Sequence, residues 1–259
     1  DTNGSTGTFT VGPTGSIRTA PGFGGTGVIG FGGQFGGTMT LVNQGLISSE
    51  TSGRQIHLDT RLSSVTNHGT LQATGGGNLT VNKLAGNAGV VQLDGSGSVM
   101  TLDGAWSNTG TLAMTGGTLN LGGSFTTAGI GTFVRTPNTA GTVNITGTLN
   151  NAGDTLTLDN ATGTWALNGG MIQGGTLAFA DGQTLSITSN SNNRLSGVTV
   201  QGDLLLSASS AQVKIEGGTS FANARLSGNS SAIGFAPGSV LTGNVIFEGP
   251  NTGSRYVDT

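Results

Sequence analysis

The sequence predicts an all-β fold, a right-handed, single-stranded parallel β-helix over residues 1–259. Two series of apolar residues recur along the chain, Leu156, Leu177 and Val198, and Trp165, Leu185 and Leu206. Their steps are 20 or 21 residues, and the residues between them are mostly Gly, Asn, Thr and Ser rather than helix formers. A fixed period is typical of a solenoid, in which each repeat buries its apolar face against its neighbours. With about 21 residues per coil, the chain would make about 12 coils.

An asparagine followed two residues later by a glycine forms a second repeat. It occurs at Asn43-Gln-Gly45, Asn67-His-Gly69 and Asn108-Thr-Gly110, with separations of 24 and 41 residues, the second being about two periods. Asparagine and glycine are turn residues because both tolerate positive φ. The signature therefore predicts a turn at the same place in successive coils.

Short segments that alternate apolar with small polar residues predict the strands, because this period of two is typical of a strand buried on one face. They are Met39–Leu41, Ile56–Leu58, Leu79–Val81, Val91–Leu93, Leu119–Leu121, Val143–Ile145, Leu156–Leu158, Leu177–Phe179, Leu185–Ile187, Val198–Val200, Val213–Ile215 and Val245–Phe247. Gly-Gly, Asn-Gly, Asp-Gly and Ser-Gly pairs lie between them. No window has a sustained helical period with caps, so we expect almost no helix.

The composition excludes several classes of protein. Glycine supplies 50 of 259 residues without a triplet period, which excludes collagen. Only 8% of residues are charged and the net charge is −3, while 34% are hydrophobic, so the chain should fold rather than stay disordered. The nine basic residues are scattered, which argues against nucleic acid as a partner. Without cysteine, disulfides and thiolate metal sites are excluded.

Residues 1–37 differ from the rest and are predicted to form Gly/Phe-rich N-terminal coils or a cap. Within the glycine run from Gly22 to Gly37, Phe23, Phe31 and Phe35 are interleaved. Glycine permits sharp bends, so these phenylalanines could fill the interior of tight coils. The alternative is a flexible linker, although linkers rarely carry so many large apolar side chains.

We expect neither a membrane helix nor an export signal within residues 1–259. Its apolar runs fall far short of the roughly 18 residues that span a bilayer, so we expect no membrane insertion by this segment. The first residues, Asp1-Thr-Asn-Gly4, contain no initiator Met and no charged leader before an apolar stretch. We therefore expect a processed segment of a longer protein, with any export signal outside these 259 residues.

Six segments give the chain a family resemblance over most of residues 38–206. They are Leu41–Ile47, Val65–Leu71, Trp106–Leu112, Gly116–Leu121, Gly147–Gly153 and Gly174–Phe179. These segments resemble the repeats of filamentous-haemagglutinin-like adhesins and autotransporter passenger domains of bacteria. The resemblance implies an extracellular passenger or stalk segment of a cell-surface adhesin. It also implies host or neighbouring-cell glycans or proteins as partners.

A carbohydrate-active β-helix enzyme, a polysaccharide lyase or hydrolase of the tailspike kind, is the main alternative. Asp159, Asp181 and Asp203 are spaced by 22 residues and would stack on adjacent coils if the local period is close to that. Stacked carboxylates could hold a cation or raise one another's pKa. The competing interpretation is that each aspartate caps a turn. We favour capping, because Arg194 is the only nearby basic residue, whereas a lyase would need a base beside the column.

Other candidate groups have weaker patterns. His57, Asp59 and Arg61 share a strand face, yet no nucleophile accompanies them, and His68 is expected to be a turn residue. An ice-binding face would need Thr-x-Thr motifs in one register, whereas those at Thr8, Thr38 and Thr155 are separated by 30 and 117 residues.

The aromatic residues supply the remaining candidates for binding. Trp106, Trp165 and Tyr256 could stack on sugars if exposed, but both tryptophans are expected to pack inside. We therefore predict a non-enzymatic, structural and adhesive segment without catalytic, cofactor-binding or metal-binding residues. Its uncharged faces would allow side-by-side self-association.

Overall fold

The computed structural model describes residues 6–30, 37–136, 141–250 and 252–259, and it confirms the parallel β-solenoid. Neighbouring strands pair in parallel. Within these residues the one helix is a single 3-10 turn, Ala128–Ile130, as expected for a chain without helical periodicity. The chain forms two compact units, Asp1–Thr142 and Val143–Thr259, called unit 1 and unit 2 below.

Unit 1 is built from short strands of three to six residues. In chain order they are β1 (Thr6–Val11), β2 (Ser16–Arg18), β3 (Thr26–Ile29), β4 (Thr38–Asn43), β5 (Leu46–Ser49), β6 (Gln55–Leu58), β7 (Leu62–Asn67), β8 (Thr70–Ala73), β9 (Asn78–Asn82), β10 (Leu84–Asn87), β11 (Val90–Leu93), β12 (Val99–Asp103), β13 (Thr111–Met114), β14 (Gly117–Leu121), β15 (Ser124–Thr126) and β16 (Thr132–Arg135).

Strand β17 (Gly141–Ile145) begins at the boundary, and the strands of unit 2 follow it. They are β18 (Thr148–Asn150), β19 (Thr155–Leu158), β20 (Trp165–Leu167), β21 (Met171–Gln173), β22 (Thr176–Phe179), β23 (Leu185–Ile187), β24 (Arg194–Ser196), β25 (Thr199–Gln201), β26 (Asp203–Leu206), β27 (Gln212–Glu216), β28 (Asn223–Leu226), β29 (Ala232–Phe235), β30 (Asn244–Phe247) and β31 (Tyr256–Asp258).

The first coils of unit 1 each contribute one strand to each of three sheets. The sheets run β1-β4-β7-β10, β2-β5-β8-β11-β13-β16 and β3-β6-β9-β12-β14. Because side chains alternate along a strand, one face of each sheet points inward. Leu41, Ile47 and Leu58, one from each sheet, are fully buried. Apolar residues stack above them in later coils, so the core lies between the three sheets.

Within unit 2 the strands also lie in three sheets. These run β17-β20-β23-β26-β28-β30, β18-β21-β24-β27-β29-β31 and β19-β22-β25. Trp165, Leu195 and Leu177 represent the three inner faces, and each is at most 1% exposed. Every predicted strand segment lies inside a strand except Val198–Val200, which overlaps β25.

The described residues form about ten turns rather than the predicted 12. The prediction assumed one coil length, but the first coil is much longer than those that follow. Thr6 and Thr38, on neighbouring coils, are 32 residues apart, whereas Asn67 and Asn87 are separated by 20. The loops that join the strands differ in length, so the number of residues per coil varies along the chain. Phe23 is half-buried, while Phe31 and Phe35 lie outside the described residues.

Two predicted stacks are shifted by two residues. Leu177 pairs with Val200 and not with Val198. Ser186 pairs with Leu205, which places Leu204, rather than Leu206, beside Leu185. A shift of two keeps the same face inward, since side chains alternate with a period of two. The apolar pattern therefore does not distinguish the two registers.

Candidate functional site

A ladder of buried asparagine side chains runs through unit 1. The Nδ2 atom of Asn43 donates to Oδ1 of Asn67, Asn67 donates to Asn87, and Asn87 donates to Asn108, each at 2.7 Å. The Nδ2 atom of Asn108 donates to the carbonyl oxygen of Ile130, also at 2.7 Å. All four asparagines are at most 1% exposed. The ladder gives these buried amides partners, which a buried polar group requires.

The glycine of each Asn-x-Gly turn is required by the same geometry. The backbone N–H of Gly89 donates to Oδ1 of Asn87 at 3.2 Å, and that of Gly110 donates to Oδ1 of Asn108 at 2.9 Å. A Cβ atom added at Gly69 would contact the carbonyl oxygen of Gly45 in the coil below. The repeat is therefore structural, because neutral amides locked in a ladder offer no acid, base or nucleophile.

Asp159 and Asp181 follow the paired strands β19 and β22, but the register, with Leu158 opposite Phe179, offsets Asp181 from Asp159 by one residue. The Oδ1 atom of Asp159 accepts from the backbone N–H groups of Ala161 and Thr162, both at 2.9 Å. Asp181 has a φ of 54° and accepts from the backbone N–H of Asn160 at 3.2 Å. Both carboxylates thus bind turn backbone, which agrees with the capping interpretation.

Lowering the pH should reduce the stability of unit 2, because it protonates the Asp159 carboxylate. The hydrogen bond from the backbone of Thr162 lowers the pKa of Asp159 most, and further bonds from Thr162 and Ala161 add to it. A carboxylate with a depressed folded pKa stabilises the fold above its unfolded pKa of about 3.9, and this contribution is lost as the pH falls through the folded value. We expect the unfolding temperature, followed by Trp165 fluorescence in a Trp106→Phe background, to fall as the pH is lowered from about 5 to about 3.

The Asp159→Asn variant is the control, since its Oδ1 atom can still accept from both N–H groups while it carries no charge. Its unfolding temperature should change less with pH than that of the unsubstituted protein. An equal change in both proteins would contradict the assignment to Asp159.

Asp203 does not belong to this column. The chain turns at Gly202, and Asp203 begins β26 in another sheet. Its carboxylate accepts from Nδ2 of Asn223 at 2.8 Å and from the guanidinium of Arg225, which lowers its pKa. Arg225 also donates to Glu248 at 2.8 Å. The expected stack of three carboxylates is therefore wrong, because Asp203 belongs to an ion-pair network on a different face.

The His57, Asp59 and Arg61 group is also an ion pair rather than a catalytic pair. Both carboxylate oxygens of Asp59 accept from the Arg61 guanidinium, at 2.9 and 3.2 Å, and this contact lowers the pKa of Asp59. His57 Nε2 lies 3.4 Å from Nδ2 of Asn82. Among the described residues, no group of three histidine or acidic side chains is arranged to hold a metal.

Both tryptophans are buried, as predicted. Trp106 stacks on Phe125 with ring centroids 4.6 Å apart, and Trp165 is 1% exposed. Tyr256 is 49% exposed on β31. The Thr-x-Thr motif at Thr155 does not continue in the next coil, because Thr155 is paired with Thr176 while Thr157 lies beside Ala178. These two coils therefore do not present the paired threonine rows that an ice-binding face would need.

A charged cleft lies on the outer face of β24, β27, β29 and β31 in unit 2. The strand register places Arg194, Lys214, Gly234 and Asp258 in one column across the sheet. The cleft has a volume of about 230 Å³, and Gln212 also lines it. This column is not apparent in the sequence, because its four residues become neighbours only through the register of four strands.

Glu216 lies beside the cleft and offsets one of the two positive charges of Arg194 and Lys214. Its Oε1 atom is 3.5 Å from Nε of Arg194 and 4.0 Å from Nζ of Lys214. One carboxylate thus faces two cations across long contacts. The column can accept a further anionic group at Arg194 and Lys214 and a hydrogen-bond donor at Asp258.

Comparison of the chain with protein-family models, with curated proteins and with solved structures gives no match. The part of the chain that the structure describes holds no helix with the length and apolar character needed to cross a membrane.

Proposed function

We propose that this chain is an extracellular structural and adhesive segment of a large bacterial cell-surface protein. The observation that carries the proposal is the buried asparagine ladder of unit 1, which fixes successive coils through side chains that have no chemistry of their own. Such a scaffold holds its outer faces in a constant register. Weak contacts repeated along these faces would then act together, as in other multivalent binders.

The charged side chains support a scaffold over an enzyme. Asp159 caps a turn, Asp59 is held by Arg61, and Asp203 is held by Arg225. Glycoside hydrolysis needs two carboxylates about 5 to 10 Å apart that are available to the substrate. Carboxylates committed to backbone or guanidinium groups are poorly suited to that role.

Two measurements test the proposal together. Beads coated with the folded chain should bind cell surfaces saturably, whereas beads coated with the heat-unfolded chain should not. The soluble chain should release no reducing sugar from acidic or neutral polysaccharides. Turnover that disappears in Asp181→Ala would instead establish a carbohydrate-active enzyme, and the absence of saturable bead binding would contradict the adhesive role.

A further inference from the structure

We propose that the charged cleft of unit 2 binds a sugar residue that carries a carboxylate, such as a uronate or a sialic acid. This inference rests on the proposed adhesive function and names the class of its ligand. The floor, the positive wall and the opposite wall of the cleft each match one part of such a sugar.

The floor of the cleft is formed by small residues. Gly234 lies between Lys214 and Asp258 in the column, and Ala232 lies beside it on β29. A Cβ atom added at Gly234 would approach no atom more closely than 4.0 Å. Lys214 and Asp258 are two strands apart, which is roughly 9.6 Å at about 4.8 Å per strand. One sugar ring can lie over Gly234 in this space.

The positive wall favours an anionic group. Arg194 and Lys214 are paired on adjacent strands, and their side chains are 34% and 39% exposed. Glu216 supplies one negative charge against their two positive charges. A carboxylate on the ligand can pair with the Arg194 guanidinium in the two-pronged geometry that arginine favours.

The opposite wall favours a sugar over an acidic peptide. Asp258 is an acceptor for hydroxyl groups, whereas it would repel a second carboxylate along a peptide. Tyr256 lies two residues away on the same outer face, paired with Ala232, and offers an exposed ring on which a sugar can stack. A ring with one carboxylate and several hydroxyls therefore complements both walls.

The test is calorimetric titration of the whole chain with four oligosaccharides. A galacturonate trimer is compared with a galactose trimer, and sialyl-lactose with lactose, so that the two sources of a carboxylated sugar are distinguished. We expect at least one acidic oligosaccharide to bind about tenfold more tightly than its neutral counterpart, with affinity that falls as salt is added.

Substitutions locate the binding. Gly234→Val, which fills the cleft, and Lys214→Gln, which removes a cation, should each weaken binding of the acidic oligosaccharide about tenfold. Matched controls in unit 1 are Gly86→Val, where an added Cβ has open space, and Arg18→Gln, a surface cation paired with Glu50. Both controls should bind as the unsubstituted chain does, and the unfolding temperature of every variant is measured alongside.

Three results would overturn the cleft as a carboxylated-sugar site. The first is equal affinity for acidic and neutral sugars. The second is competition by inorganic phosphate that is as strong as competition by the acidic oligosaccharide. The third is full binding by a folded Lys214→Gln variant. If beads coated with Gly234→Val and Lys214→Gln variants still bind cells as well as the unsubstituted chain, the adhesive function stands and the cleft is not its site. If no bead binds, the function itself fails.

Discussion

Replacing Asn67 by alanine is expected to lower the free energy of unfolding of unit 1 by about 3 kcal/mol. The Asn67 side chain accepts from Asn43 and donates to Asn87, both at 2.7 Å, and it is fully buried. Alanine would leave a donor hydrogen of Asn43 and an acceptor site of Asn87 without partners, and each unsatisfied buried group costs about 1–3 kcal/mol. Truncation also leaves a small cavity.

The matched control for this prediction is His68→Ala, the exposed residue beside Asn67 in the same turn. Urea unfolding is followed by Trp106 fluorescence in a Trp165→Phe background, so that the signal reports unit 1. The midpoint should fall clearly for Asn67→Ala and change little for His68→Ala. Equal midpoints for the two variants would show that the ladder adds no stability.

Replacing Gly69 by alanine is expected to cost about 3 kcal/mol through overpacking. The new Cβ would contact the carbonyl oxygen of Gly45 and lie 2.7 Å from the carbonyl carbon of Gln44. These are backbone atoms of the coil below, so a change of side-chain rotamer cannot relieve the contact. The coils must separate locally, which also stretches the asparagine ladder beside them.

Gly86→Ala provides the comparison, since a Cβ there meets no atom within 4 Å. An unstrained Gly→Ala change usually stabilises a protein by about 0.4–1 kcal/mol through the unfolded chain. Gly69→Ala should therefore lower the urea midpoint, and Gly86→Ala should leave it unchanged or raise it. A similar loss at both positions would mean that glycine is needed for backbone flexibility rather than for close approach.

The fold class could be predicted from the sequence because the alternation of apolar and polar residues and the turn residues are local signals. Leu79–Val81 and Leu119–Leu121, for example, alternate cleanly and lie within β9 and β14. Strand β5 was missed because Ser49, which shares the inner face with Ile47, is buried but polar, and Ser48 on the other face is buried as well. A strand whose interior contacts are partly polar has no apolar alternation to detect.

Asn87 illustrates a signal that was present but overlooked. Asn87-Ala-Gly89 has the same pattern as its neighbours and divides the 41-residue gap between Asn67 and Asn108 into 20 and 21. The hydrogen-bonded ladder itself was not predictable, since turn asparagines usually point outward to solvent. Only the register of the coils places the four amides in line.

The charged cleft and the position of Asp203 depend on longer-range geometry. Asp203 has the spacing of the Asp159 and Asp181 series, but the turn at Gly202 moves it to the next sheet. A spacing of 22 residues therefore identifies a coil and does not specify the sheet. Residues that share a column across several strands, such as Arg194 and Asp258, can be assigned to it only when the length of every intervening loop is known.

The unequal coil lengths have a use in protein engineering. The loop tip at Ser96 and Gly97, between β11 and β12, is exposed, while the turn at Asn87 is closed by buried amides. Extra residues in a surface loop cost little closure entropy. A foreign peptide grafted at Ser96 would be displayed at a fixed point on a rigid frame, and such grafts on several coils would form an array with a spacing set by the strands.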